Sequence, residues 1–123
     1  MSENGIGTQV VTQIAIVVHD IEQPIDRISR AFGMAKPEVI ITDTVDKART
    51  NYRGASSPAR AKLAFFHLGQ VDLELIEPVG GPSIWQEHLD TKGEGVHHIA
   101  FAVPSTQAAV ANLKAQGMAD VQH

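Results

Sequence analysis

The sequence predicts an α+β domain built from paired βαβββ modules, the first complete and the second stopping after its helix. Three observations carry that expectation. Two strand–helix units recur in matching register, a hairpin of apolar strands follows the first unit, and each strand keeps its bulky apolar residues on one face. A chain of 123 residues has room for one domain with a real core and too little for two. Its hydrophobic share of 43% and charged share of 20% match ordinary globular proteins, which argues against wholesale disorder.

Residues 1–8 are polar, have no signal-peptide core, and read as a disordered leader. The first module spans 9–79. It opens with VVTQIAIVV (10–18), whose β-branched residues predict a buried strand. Ile21, Ile25, Ile28 and Phe32 then recur at helical spacing, with Pro24 in the first turn and Gly33 as a C-terminal stop. A strand near PEVIITD (37–43) follows, then a long polar loop over 44–60. AKLAFFHL (61–68) and QVDLELIEP (70–78) form a hairpin around Gly69. Residues 80–95 are a linker with a short helix, in which Ser83 and Gln86 have capping-box spacing. The second module starts at 96 with the strand HHIAFAV (97–103) and a helix capped by Ser105 that stops at Gly117.

The repeat is visible in the letters. QIAIVV (13–18) matches HIAFAV (98–103) in type and register, and the helices that follow end RAFGM (30–34) and KAQGM (114–118). Side chains alternate across a strand, so each polar residue defines a face. Gln13 shares its face with Ala15 and Val17, His98 with Ala100 and Ala102, and Glu74 with Asp72 and Ile76. The opposite faces carry Ile14, Ile16 and Val18; Ile99, Phe101 and Val103; and Leu73 and Leu75. That pattern suits packing under helices on one side and a cavity with a few polar atoms on the other. His97, next to His98, is expected on the opposite face, His67 in the core or at the surface, and Trp85 as a packing anchor.

Several classes of function fall away. No apolar run approaches the ~20 residues needed to span a bilayer, so no membrane partner is expected and a cytoplasmic location is the default. A net charge of −4 argues against nucleic-acid binding. With no cysteine there is neither a disulfide nor a thiolate metal site, which leaves His, Asp, Glu and Gln as possible ligands. Half of the ten basic residues (Lys47, Arg49, Arg53, Arg60 and Lys62) fall in one short stretch, which suits an anionic small molecule.

GEGVHHIAFAV (93–103), LAFFHLGQVDLELIEP (63–78) and TQIAIVVHDIEQPI (12–25) resemble the signatures of the vicinal oxygen chelate superfamily, which includes methylmalonyl-CoA epimerases, glyoxalase I and bleomycin-resistance proteins. The resemblance covers most of residues 10–118. It implies paired modules of glyoxalase type around a divalent metal, with Gln13, Glu74 and His98 as three ligands and Glu74 also the catalytic candidate. Epimerases usually have His at the position of Gln13, and the order Gln–Glu–His resembles some glyoxalase I enzymes. Mixed oxygen and nitrogen donors suit Zn, Co, Ni, Mn or Fe. The family's fourth ligand, a Glu late in the second module, has no counterpart before His123, and Asp43 and Asp46 lie near the position of the epimerase base without matching it. The activity implied is metal-dependent proton abstraction beside a carbonyl, as in an epimerase. The alternatives are a glyoxalase I-like lactoylglutathione lyase and a metal-free binding protein of bleomycin-resistance type. Arg49, Arg53 and Arg60 are the candidates for binding the phosphates of an acyl-CoA or the carboxylates of a glutathione adduct. Uncovered apolar surface on the partial second module predicts a homodimer.

Overall fold

The β-branched run near the N-terminus becomes the strand on which the rest of the sheet is assembled. The computed structural model describes residues 5–42, 51–52, 55–56 and 60–118. In chain order the elements are β1 (Val11–Val17), α1 (Glu22–Phe32), β2 (Ile40–Ile41), β3 (Asn51–Tyr52), β4 (Ala55–Ser56), β5 (Arg60–Leu68), β6 (Val71–Val79), α2 (Ile84–Lys92), β7 (Gly95–Phe101) and α3 (Thr106–Ala115). Five strands form one sheet in the order β2-β5-β6-β1-β7, and β3 and β4 pair separately. β1 runs parallel to β6 on one side and antiparallel to β7 on the other. The fold is therefore α+β: β1, α1, β2, β5 and β6 make one βαβββ unit, and β7 and α3 repeat its strand and helix.

The two faces of the sheet have separate cores. On one, Val18, Leu75, Ala64 and Phe66 pack with Ile21 and Ile25 beneath α1, joined by Ile16, Ile28 and Leu73. On the other, Ala15, Val17, Ala61 and Ile76 pack with Leu89, Leu63 and Trp85, so α2 covers one end of that face and Trp85 is the anchor expected. The alternation predicted for β1 and β6 thus holds. At its start, α1 takes a hydrogen bond across the fold: Ile21 N donates to Glu77 Oε1 at 2.9 Å, and Lys62 Nζ lies 3.8 Å from the other oxygen of that carboxylate. At its end Gly33 adopts φ 62°, a left-handed turn that costs glycine little. Gly69 turns the β5–β6 hairpin with φ 63°. Ser83 and Ser105 cap their helices as expected, accepting from Gln86 N at 3.0 Å and Ala108 N at 3.1 Å.

Two features differ from expectation. Phe32 is 61% exposed, so the apolar stripe of α1 ends at Ile28; Ser29, adjacent to it in sequence, is buried. The polar loop over 44–60 contains the short pair β3 and β4. As expected of the partial second module, the apolar face of β7 lies open, with Val96 56% and Ile99 51% exposed, and α3 buries only Ala109 among the described residues. Among the described residues no helix is long and apolar enough to cross a membrane.

Candidate metal centre

Three adjacent strands each aim one polar side chain at the same spot. In register, Ala15 on β1 faces Glu74 on β6 and His98 on β7, and Gln13 precedes Ala15 by two residues on the same face. The backbones of β6 and β7 are two strand spacings apart, about 9.6 Å. Ala15 is too small to fill the space between them, so the longer Glu74 and His98 side chains lean across it. His98 Nε2 ends 3.9 Å from Glu74 Oε1, and Gln13 Nε2 donates a hydrogen bond to that same oxygen.

Burial sets the electrostatics. Glu74 is 7% exposed, and burial pushes its carboxyl above the usual carboxylate range, with the Gln13 hydrogen bond opposing in part. Burial also lowers the pKa of His98, keeping the imidazole neutral at neutral pH, as a metal ligand must be.

With the Gln13 amide turned to bring its oxygen in place of Nε2, the three side chains would offer one amide oxygen, one carboxylate and one imidazole nitrogen, a set that suits a borderline divalent ion. Ligands about 2.1 Å from one ion lie up to about 4.2 Å apart, so the 3.9 Å between His98 and Glu74 falls within reach. A cation there would also offset a buried carboxylate that burial disfavours. Among the described residues no three His, Cys, Asp or Glu side chains gather where they could hold a metal ion.

The other candidates are placed as follows. Arg60 is exposed at the first position of β5, in alternating register with Lys62, Ala64 and Phe66, and so lies on the α1 side of the sheet, away from Glu74. Arg49 and Arg53, with Asp43 and Asp46, lie outside the described residues. His67 is at the surface, its Nδ1 2.7 Å from Asp72 Oδ1 at the hairpin end. A cavity of about 430 Å³ is lined by Met34, Lys36, Glu38, Ile40, Phe65 and Phe66, and none of Gln13, Glu74 and His98 lines it.

His97 corrects the sequence reading. It was expected to face away from His98, yet its Nδ1 lies 2.9 Å from His98 Nδ1. The register explains this: Ala15 pairs with His98 and Ile16 with Val96, which leaves His97 as the extra residue of a β-bulge. The bulge also brings the His97 ring to 5.3 Å from that of His88 on α2. Strict alternation hides such a residue, and the adjacent pair of histidines is its only trace in the sequence.

Residues 12–123 match the family model described as the Glyoxalase/Bleomycin resistance protein/Dioxygenase superfamily. Among solved structures, a hypothetical protein from Bacillus halodurans C-125 is 27% identical with a TM-score of 0.59, over 88% of this chain and 68% of its own. The methylmalonyl-CoA epimerase from Mycobacterium tuberculosis has a TM-score of 0.63 at 21% identity, over 95% of this chain and 69% of its own. A methylmalonyl-CoA epimerase in complex with methylmalonyl-CoA and NH4+ is 25% identical with a TM-score of 0.60, over 87% of this chain and 69% of its own. A curated relative, the uncharacterized protein YqjC from Bacillus subtilis (strain 168), is 50% identical over 42 residues. That match spans 34% of this chain and about 30% of the relative.

Proposed function

Because the chain belongs to the Glyoxalase/Bleomycin resistance protein/Dioxygenase superfamily, we propose that it is a metal-dependent isomerase that removes a proton beside a carbonyl, in the manner of an epimerase. The observation that carries this reading is the meeting of Gln13, Glu74 and His98 at one carboxylate oxygen, from three adjacent strands. When bound, a divalent ion supplies Lewis-acid stabilisation of an enolate oxygen. The chain's own part is to hold and orient. Gln13 holds Glu74 through its hydrogen bond, beside the apolar cluster of Ala15, Ile76 and Trp85. Glu74, whose metal-free carboxyl burial holds above its ordinary range, would bind the ion as a carboxylate, and the ion's charge would offset that burial cost. The ligand proposed is an acyl-CoA-like anion, the class seen with the epimerase named above. In this proposal Arg49 and Arg53 meet the anion, and Arg60 adds long-range positive charge from the other face. Two copies associate through the open face of β7.

The test is exchange of an α-proton with deuterated solvent, followed by mass spectrometry, with a panel of acyl thioesters and glutathione adducts. Exchange from thioesters that needs a divalent ion and is lost in His98→Ala supports the isomerase. Turnover confined to glutathione adducts favours the lyase. Ligand binding that is unchanged in His98→Ala, with no exchange at all, refutes the metal-dependent reading and favours a binding cup.

A further inference from the structure

We infer that His67 is the base that takes the substrate's α-proton, with Asp72 as the residue that positions its ring. The inference rests on the reading proposed above, loss of a proton beside a carbonyl, and supplies the proton acceptor that reading leaves unassigned.

Strand pairing puts this pair on the face of the candidate metal centre. Residues paired across neighbouring strands project to the same side of a sheet. One row across the sheet carries Glu74, Ala15 and His98. The next row, two residues along toward the β5–β6 turn, carries His67, Asp72 and Gln13. Asp72 is thus about 6.8 Å from Glu74 along β6, and His67 lies one strand further out, about 8 Å from Glu74 between backbones. Gln13 joins the two rows through its hydrogen bond to Glu74. A small substrate held at Glu74 would therefore lie beside the His67 ring.

The contact within the pair suits the task. His67 Nδ1 lies 2.7 Å from Asp72 Oδ1. A carboxylate oxygen only accepts, so Nδ1 carries the hydrogen, and the neutral ring keeps its lone pair on Nε2. One nitrogen tethered and the other free is the arrangement a general base needs. The His67 side chain is 77% exposed and that of Asp72 44%, so a substrate can reach Nε2, and an ion pair this open adds little to stability. In these two rows Glu74 is taken up by Gln13 and the proposed ion, and Asp72 by His67, which leaves the His67 ring to accept a proton. The step balances within the pair. The α-carbon–hydrogen bond breaks, the proton goes to His67 Nε2, and the bonding electrons stay with the substrate as the enolate. The ring becomes an imidazolium against the Asp72 carboxylate, and returning a proton to carbon restores it. Because the ring is exposed, its N–H exchanges with water in between, so solvent deuterium enters the substrate.

The test uses the full chain in deuterated buffer with the acyl-thioester panel, with and without Zn²⁺, in wild type, His67→Gln, His67→Ala, Asp72→Asn and His98→Ala. His67→Gln should lower kcat for exchange by about 10²–10⁴-fold and leave Zn²⁺ affinity, read by calorimetry, unchanged. Added imidazole should restore exchange to His67→Ala, which a merely structural defect would not allow. Long-range ¹H–¹⁵N spectra of metal-free ¹⁵N-histidine protein in mildly alkaline buffer read the tautomer without turnover. Wild type should show His67 protonated on Nδ1, and Asp72→Asn should lose that preference. A folded His67→Gln that exchanges at the wild-type rate overturns the proposal, and loss of exchange in His98→Ala would then leave the metal-dependent reading standing. Exchange that needs no divalent ion but is lost in His67→Gln sinks the metal and keeps the base. His67 protonated on Nε2 in wild type, or a wild type that exchanges no thioester, overturns the assignment outright.

Discussion

Replacing Glu74 by Gln separates the fold's interest in that position from the site's. The amide has nearly the shape of the carboxylate and still offers Gln13 an oxygen, but it carries no charge. Glu74 is 7% exposed, so water does little to screen what is removed. Its carboxyl is held above the ordinary value of 4.5, so the unfolded chain gives up the proton first. The folded state then bears a buried charge at neutral pH, and that penalty fades as pH falls through the raised value toward 4.5. Metal-free Glu74→Gln should therefore be more stable than wild type at pH 7, with the gap closing toward pH 4.5. The metal response should move the other way. An ion at 100 times its Kd stabilises the native state by about 2.7 kcal/mol. For a chain of this size that is on the order of 10 °C in Tm. Wild type should show that rise with Zn²⁺, and Glu74→Gln should lose most of it. Thermal unfolding followed by circular dichroism, over pH 4.5–8 with and without Zn²⁺, reads both quantities. A metal-free variant that is less stable than wild type by the same margin at every pH would refute the buried-charge argument. An undiminished rise with Zn²⁺ would remove Glu74 from the ligand set.

Other consequences are open to direct measurement. Phe66 is 1% exposed under α1, so Phe66→Ala should cost about 3–5 kcal/mol in urea unfolding, whereas Phe65→Ala, half-buried on the other face, should cost clearly less. His98 is held below its ordinary value of 6.5, so the unfolded chain takes up the proton first. Stability should fall as pH drops from 6.5 toward the lowered value, and His98→Asn should flatten part of that slope. Ile99 is 51% exposed on the open face of β7, and if two copies meet there, Ile99→Glu should shift light scattering from dimer to monomer at micromolar concentration.

Much of the sheet was legible because its signals are local and periodic. The β-branched run at 10–18 became β1 to within a residue at each end, and the hairpin turned at Gly69 as read. Ser83 and Ser105 cap as their spacing implied. The same alternation put Gln13 and Glu74 on one face, and the two strands' parallel pairing then placed them in contact. What escaped depends on pairing between distant segments. His97 follows from a bulge that exists only in the register of β7 against β1. Phe32 fits the helical period but lies past the edge of what the sheet covers. Arg60 was grouped with the loop arginines by composition, although its place on β5 gives it the parity of Lys62 and Phe66.

The candidate site is drawn from β1, β6 and β7, one polar side chain from each, with no described loop contributing. Its existence is therefore a check on assembly. A slip of one residue between any two of these strands would send a donor through to the other face. The parallel contact of β1 with β6 closes over more than fifty residues of chain and is intrinsically slow to form, and β7 must then dock on the far edge of β1. A correctly spaced cluster appears only when both pairings are in register. Followed during refolding, uptake of an ion by this cluster would time the moment at which the two repeats first recognise one another.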